Sequence, residues 1–210
     1  MEILNQLSSQ KGDKTEDSNK IVAEKCIANP RLLADIAVGL EDINKKLQSD
    51  CMEIFTMVSE KNPEFTVRYS EDIIPLLYSK GSKTRWEAAH TLSYIADKIP
   101  DTISDILPAL RSLIEKDEST IVRDYAIDTI ANYAKVSVET SEKAYELLKF
   151  TLGLWGEKHA RQVLRGFNHV LDKIPDYKAE INLLVQPYIT ANKKIVAAEA
   201  KKIIKRTEKV

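Results

Sequence analysis

Apolar residues recur along this chain at the three-and-four spacing of amphipathic helices, and the phrase they make repeats. Compact apolar residues near the start of successive phrases (Cys51, Ala88, Ala126, Val163 and Ala197) stand 37, 38, 37 and 34 residues apart. Such a period predicts stacked helix pairs, each too small to bury its own apolar face. The pattern predicts helices over 18–28, 30–41, 46–61, 65–80, 83–98, 103–116, 119–135, 138–153, 157–173, 178–190 and 193–206. Residues 8–17, SSQKGDKTED, offer no apolar anchor, so 1–17 read as a flexible lead, with Met1 to Leu7 either packing or loose with it, and 18–210 as a single repeat domain.

Punctuation follows the same period. Asn29-Pro30 and Asn62-Pro63 each offer a capping side chain followed by proline at the first helical position. Thr102 with Asp105 predicts a capping box. Gly81 and Gly156, 75 residues apart, predict left-handed turns that end the preceding helices. The pentapeptide Asp97-Lys98-Ile99-Pro100-Asp101 returns as Asp172-Lys173-Ile174-Pro175-Asp176 at that same offset. Pro75 falls deeper into its predicted helix than Pro108, so a kink or late start is expected there.

The phrase Val122-Arg123-x-x-Ala126-x-x-x-Ile130 follows Asp117 and a helix with Pro108, Leu110 and Leu113. It resembles a HEAT repeat of the HEAT/armadillo class, as does Arg85-Trp86-Glu87-Ala88-Ala89-His90-Thr91-Leu92. The resemblance spans roughly Pro30 to Arg206. It implies an all-α, right-handed α–α superhelix, a HEAT-like solenoid of about five helix pairs plus an N-terminal helix. The family pairs a turn Asp with an Arg six residues on; only Asp117–Arg123 is complete. The matching positions elsewhere hold Asp42, Ser79 and Leu154, and Gln48, Arg85 and Ala160.

Composition narrows the function classes. Apolar residues make up 43% and charged residues 30%, with a formal net charge of −1, so no global field draws the chain to nucleic acid or anionic lipid. Cys26 and Cys51 lie in apolar helical stretches and read as small hydrophobes. His90, His159 and His169 are scattered, so neither metal nor cofactor is expected. No signal-peptide stretch and no apolar run of membrane-spanning length occur, which makes the cytoplasm the expected compartment.

Candidate chemistry lies on the second helix of each pair, which the resemblance places on the concave face. Shifting by the period gives three outward rows: Asp50, Glu87, Tyr125, Gln162; Glu53, His90, Asp128, Arg165; and Met57, Tyr94, Asn132, His169. Tyrosine and methionine at outward positions suit a protein interface, although Tyr94 and Tyr125 equally suit covering a neighbouring repeat's edge. The residues expected to touch a partner are Glu53, Met57, Glu87, His90, Tyr94, Tyr125, Asp128, Asn132 and His169. They should line one groove, with Glu53, Glu87 and Asp128 selecting a basic segment.

An enzymatic alternative is a HEAT-like DNA glycosylase. Trp86 and Trp155 would stack a base, Asp124 or Asp128 would act as general base, and Arg123 or Arg161 would contact phosphate. Packing explains both tryptophans better, and four acids against one arginine in the rows oppose nucleic acid. HEAT-like phycobilin lyases form another enzymatic branch, with no feature here to select them. Lys193, Lys194, Lys201, Lys202, Lys205, Arg206 and Lys209 against Glu199 and Glu208 give the C-terminal segment a local charge of +5. That segment is either a solvated end cap or a docking patch for an acidic partner or nucleic acid. The expectation is a non-catalytic, monomeric protein-binding scaffold.

Overall fold

The computed structural model describes residues 2–208, so Lys209 of the basic terminus lies outside the described residues. Every regular element among them is an α-helix or a 3-10 turn. The chain divides into two compact units, one ending at Lys98 and the other starting at Ile99, where the periodicity alone draws one body.

The first unit holds α1 (Ser8–Lys11), α2 (Asp17–Ala28), α3 (Leu33–Val38), α4 (Lys45–Lys61), α5 (Ser70–Ile73) and α6 (Ser82–Ile95). Helix α2 packs on α4, and α4 on α6. Val22, Cys26, Leu33, Ile36, Cys51, Phe55, Ile73 and Leu92 are fully buried. Both cysteines are unbridged, and burial alone pushes the Cys26 thiol up to about 11.

The second unit holds α7 (Pro100–Lys116), α8 (Thr120–Tyr133), α9 (Val138–Trp155), α10 (Ala160–Lys173), α11 (Lys178–Val185) and α12 (Lys194–Thr207). The pairs α7–α8, α9–α10 and α11–α12 form hairpins, and α8, α10 and α12 pack in sequence. Ala126, Ile130, Leu148, Val163, Phe167, Val185, Ala200 and Ile203 close the core. The Tyr145 ring stacks obliquely between Phe167 and Tyr177, at 5.7 and 4.6 Å.

The sequence period reappears as physical contact between successive second helices. Thr56 Oγ1 meets Thr91 Oγ1 at 3.0 Å across 35 residues. In the second unit, Asp128 accepts from Arg165 at 3.4 Å across 37 residues, and Asn168 donates to Glu199 at 2.8 Å across 31. The incomplete Asp–Arg ladder has a local substitute. The Arg85 guanidinium donates to the Ser79 carbonyl and that of Arg123 to the Asp117 carbonyl, both at 2.8 Å. Gln48 does the same to Leu40 at 2.6 Å. A long donor six to eight residues past the turn satisfies its main chain whether or not an aspartate is there.

Several local expectations change. Asn29 and Asn62 precede prolines but cap nothing, because each proline opens a short 3-10 turn instead. The side-chain caps are Asn44, Ser119 and Ser137, the last in a capping box with Thr140. Thr102 and Asp105 form none, since α7 already starts at Pro100. Neither glycine makes the expected left-handed cap: Gly156 takes φ +53° with ψ −129°, a positive-φ conformation that favours glycine but is not the left-handed helical one, and Gly81 at φ −78° simply precedes α6. Pro75 converts its helix to a 3-10 turn from Ile74 to Tyr78. Pro108 sits inside α7 on its exposed side, where water can satisfy the carbonyl it orphans.

The expected flexible lead is also different. Leu7 is fully buried, and the Ser8 amide donates to Asn19 Oδ1 at 2.9 Å. The Ser9 amide donates to Asp50 Oδ2 at 2.7 Å. Gly12, at φ +68°, turns the chain after α1, and Asp13 accepts from the Thr15 and Ser18 amides. Ile3 and Leu7, one helical turn apart and both buried, supply the anchor that the window 8–17 lacks.

Candidate functional site

Each unit carries a candidate face of its own: the solvent-facing sides of α4 and α6 in the first, and of α8, α10 and α12 in the second. In the first unit the predicted rows divide by depth. Met57, His90 and Tyr94 are half-buried and reachable. Glu53 and Glu87 are only 4% and 7% exposed. Glu53 accepts from Asn19 Nδ2 at 2.8 Å and Lys83 Nζ at 3.1 Å, and its carboxyl is raised by burial against those partners. Burial likewise raises Glu87, beside Thr56, Trp86 and Lys83. Neither acid is open to select a basic ligand, which corrects that expectation. The cause is the N-terminal segment: α1 and α2 cover the end of α4 where Asp50 and Glu53 lie.

His90 and Tyr94 form one unit on α6. Their side chains meet at 2.9 Å, and the rings lie 4.8 Å apart. Burial lowers His90 to about 4, so it is neutral at physiological pH.

In the second unit Tyr125, Asp128, Asn132 and His169 are half-buried. Burial raises Asp128 to about 6, although Arg165 opposes the shift. Burial, then Lys135, lowers His169 to about 4. The signs oppose one another. The two histidines bind protons less tightly when folded, so their contribution is present above about 6.5 and lost as pH falls toward 4. Asp128 binds its proton more tightly when folded, so its contribution is present below 3.8 and lost as pH rises through about 6. Glu53 and Glu87, raised by burial, oppose the histidines together with Asp128, so the histidine share is read by difference. The stability of wild type minus that of a His90→Gln/His169→Gln variant should rise from pH 4 to 6.5, by on the order of 1 kcal/mol per histidine after discounting partial exposure. Denaturant titration across this range checks it.

The constellation for base excision does not assemble. Trp155 donates from its indole to the Ile114 carbonyl at 2.9 Å. Its faces carry the Arg123 guanidinium at 4.2 Å and Lys158 at 5.0 Å from the ring centroid. Asp124 holds His159 Nδ1 at 2.6 Å, and His159 itself is 1% exposed. Trp155 and Asp124 are thus engaged with neighbouring side chains and main chain, while Trp86 is half-buried.

Sequence reasoning missed a basic depression in the second unit. Lys135, Arg161, Arg165, Asn168, His169, Ile195, Glu199 and Lys202 line it. Arg165 and His169 belong to the predicted rows, but Lys135, Arg161 and Lys202 do not. The available signal was Arg161-x-x-x-Arg165, two arginines one helical turn apart.

No family model and no curated protein matches the chain. Solved structures do match. A designed armadillo repeat protein in complex with the peptide (KR)4 aligns with TM-score 0.72 at 16% identity, over 98% of both chains. A second designed armadillo repeat protein gives 0.70 at 15% identity, again over 98% of both chains. Computationally designed armadillo repeat proteins for modular peptide recognition give 0.68 at 14% identity, over 97% of this chain and 98% of theirs. At such identities the likeness concerns architecture alone, and the architecture is that of a HEAT/armadillo-like helical-repeat solenoid.

Proposed function

We propose that this protein is a non-catalytic scaffold that binds a segment of another protein along the exposed sides of its second helices. The observation that carries the reading is the half-buried state of Met57, His90 and Tyr94 on α4 and α6, and of Tyr125, Asn132 and His169 on α8 and α10. These side chains offer apolar and aromatic area beside fixed polar groups, the composition of an interface centre. The peptide recognition for which the designed armadillo neighbours were built supports it. A basic partner is not part of the reading, because Glu53 and Glu87 are engaged inside the first unit and Asp128 faces Arg165. Of the residues named for the glycosylase alternative, Trp155 and Asp124 are engaged in internal contacts, which weighs against that reading. Among the described residues no helix is long and apolar enough to cross a membrane. Two buried, unbridged thiols suit a reducing compartment, and we place the protein in the cytoplasm as a monomer.

Tyr94→Ala should weaken a partner recovered from native cells by more than about 1 kcal/mol while leaving the melting temperature nearly unchanged. Equal affinity of wild type and variant, measured by titration calorimetry, would count against this face.

A further inference from the structure

We propose that the depression on α10 and α12 is a phosphoryl-binding site that takes a phosphoserine or phosphothreonine side chain of a partner segment. It rests on the protein-binding reading above and names the chemistry of one position in the ligand.

The depression is open to solvent, with a volume of about 480 Å³, and is lined by four cations, Lys135, Arg161, Arg165 and Lys202, against Glu199, with Asp128 beside Arg165. Glu199 is already held by Asn168 at 2.8 Å and Lys202 at 3.2 Å, so it is not available to neutralise the arginines. Arg165 leans on Asp128 at 3.4 Å. Arg161 and Lys135 make no ion pair among the described residues. Lys202 pairs with Glu199 and Arg165 with Asp128, so the excess positive charge is that of Arg161 and Lys135, only partly offset by Asp128; a compact anion relieves it. Arg161 and Arg165 project one turn apart on α10, the placement in which two guanidinium forks can reach the oxygens of one tetrahedral group. A phosphate monoester carries about −1.5 to −2 at neutral pH, against −1 for a carboxylate, and so matches this excess better than an acidic side chain does.

A peptide fits better than a nucleic acid. Asp124, Asp128, Glu157 and Asp172 lie on or beside the same helices, so a strand of successive phosphates leaving the depression would meet carboxylates. Ile195, 51% exposed at the rim, offers an apolar contact to a residue flanking the phosphate. His169 adds no charge of its own, since burial and Lys135 keep it neutral.

The test is a titration of the ¹⁵N-labelled full chain with inorganic phosphate, O-phosphoserine, a phosphoserine peptide with a flanking leucine, its unphosphorylated form, and a single-stranded DNA of equal charge. Expected are localised shifts around Arg161, Arg165 and Lys202, with the phosphopeptide binding more tightly than phosphate alone. Arg161→Ala, at an exposed position without an ion pair, should weaken the phosphopeptide about tenfold or more with the fold intact. Tyr94→Ala should leave inorganic phosphate binding unchanged. Scattered shifts, indifference to Arg161→Ala, equal binding of the unphosphorylated peptide, or preference for the DNA would each overturn the proposal. The scaffold reading has a separate failure: phosphate binds as expected, yet Tyr94→Ala leaves partner affinity untouched.

Discussion

Replacing Ala126 with aspartate will cost the protein about 3–5 kcal/mol, the penalty of an unpaired charge in a packed interior. Ala126 is fully buried on α8, the helix that packs against α7, α9 and α10. The new carboxylate is taken out of water on a fully buried position, so the side chain must drag water inward, draw on the buried Arg123 one turn back at the expense of that residue's packing, or take up a proton. The melting temperature should fall by roughly 10 °C or more. Ile121→Asp is the control. Ile121 is on the same helix but 43% exposed, and the change should cost no more than about 1 kcal/mol. If Ala126→Asp melts within about a degree of wild type, the helical register assigned to α8 is wrong.

Gly166→Val should be the second most damaging change. A β-carbon on Gly166 would lie 2.5 and 3.0 Å from the two terminal methyls of Leu148 and 3.2 Å from the Ala131 β-carbon. Helix α10 thus passes α9 and α8 too closely for a side chain. Two effects compete on substitution. Any residue replacing a mid-helix glycine gains up to about 1 kcal/mol of helix propensity. Overpacking costs about 1–3 kcal/mol, and more when the neighbour is itself buried, as Leu148 is. For alanine the steric cost is smaller, because the main clash is with the terminal methyls of Leu148 and Ala131 need yield only slightly. For valine the steric term wins, and a loss of about 2 kcal/mol or more is expected in urea unfolding. A Leu148→Ala partner substitution opens space at the same spot. The double variant should lose less than the two single costs added together, and strict additivity would exclude the contact.

How much of this was legible in the residues varies by level. The period was plain because Cys51, Ala88, Ala126 and Val163 are all fully buried where successive helices meet, and small residues there are a packing requirement. Helix boundaries near prolines shifted, since proline fixes its own φ yet does not decide between an α-turn and a 3-10 turn; Pro63 and Pro75 each chose the latter. The N-terminal lead was misjudged because its anchors, Ile3 and Leu7, stand outside the polar stretch, and because its remaining bonds are backbone amides to Asp50 and Asn19. Main-chain donors leave no trace in composition. That same docking turned Glu53 from an expected ligand contact into an internal one. The basic depression escaped because Lys135, in the turn after α8, and Lys202, on α12, stand 67 residues apart, a convergence visible only once α8, α10 and α12 are packed.

The central claim is that the exposed sides of the second helices are where a partner segment lies. Backbone-amide shift mapping with peptides selected on the wild-type chain from a random display library tests it most directly. The account predicts perturbations on α4, α6, α8 and α10 around Met57, Tyr94, Asn132 and His169, diminished in Tyr94→Ala. Perturbations confined to α3, α5, α7, α9 and α11, or unchanged by Tyr94→Ala, would contradict it.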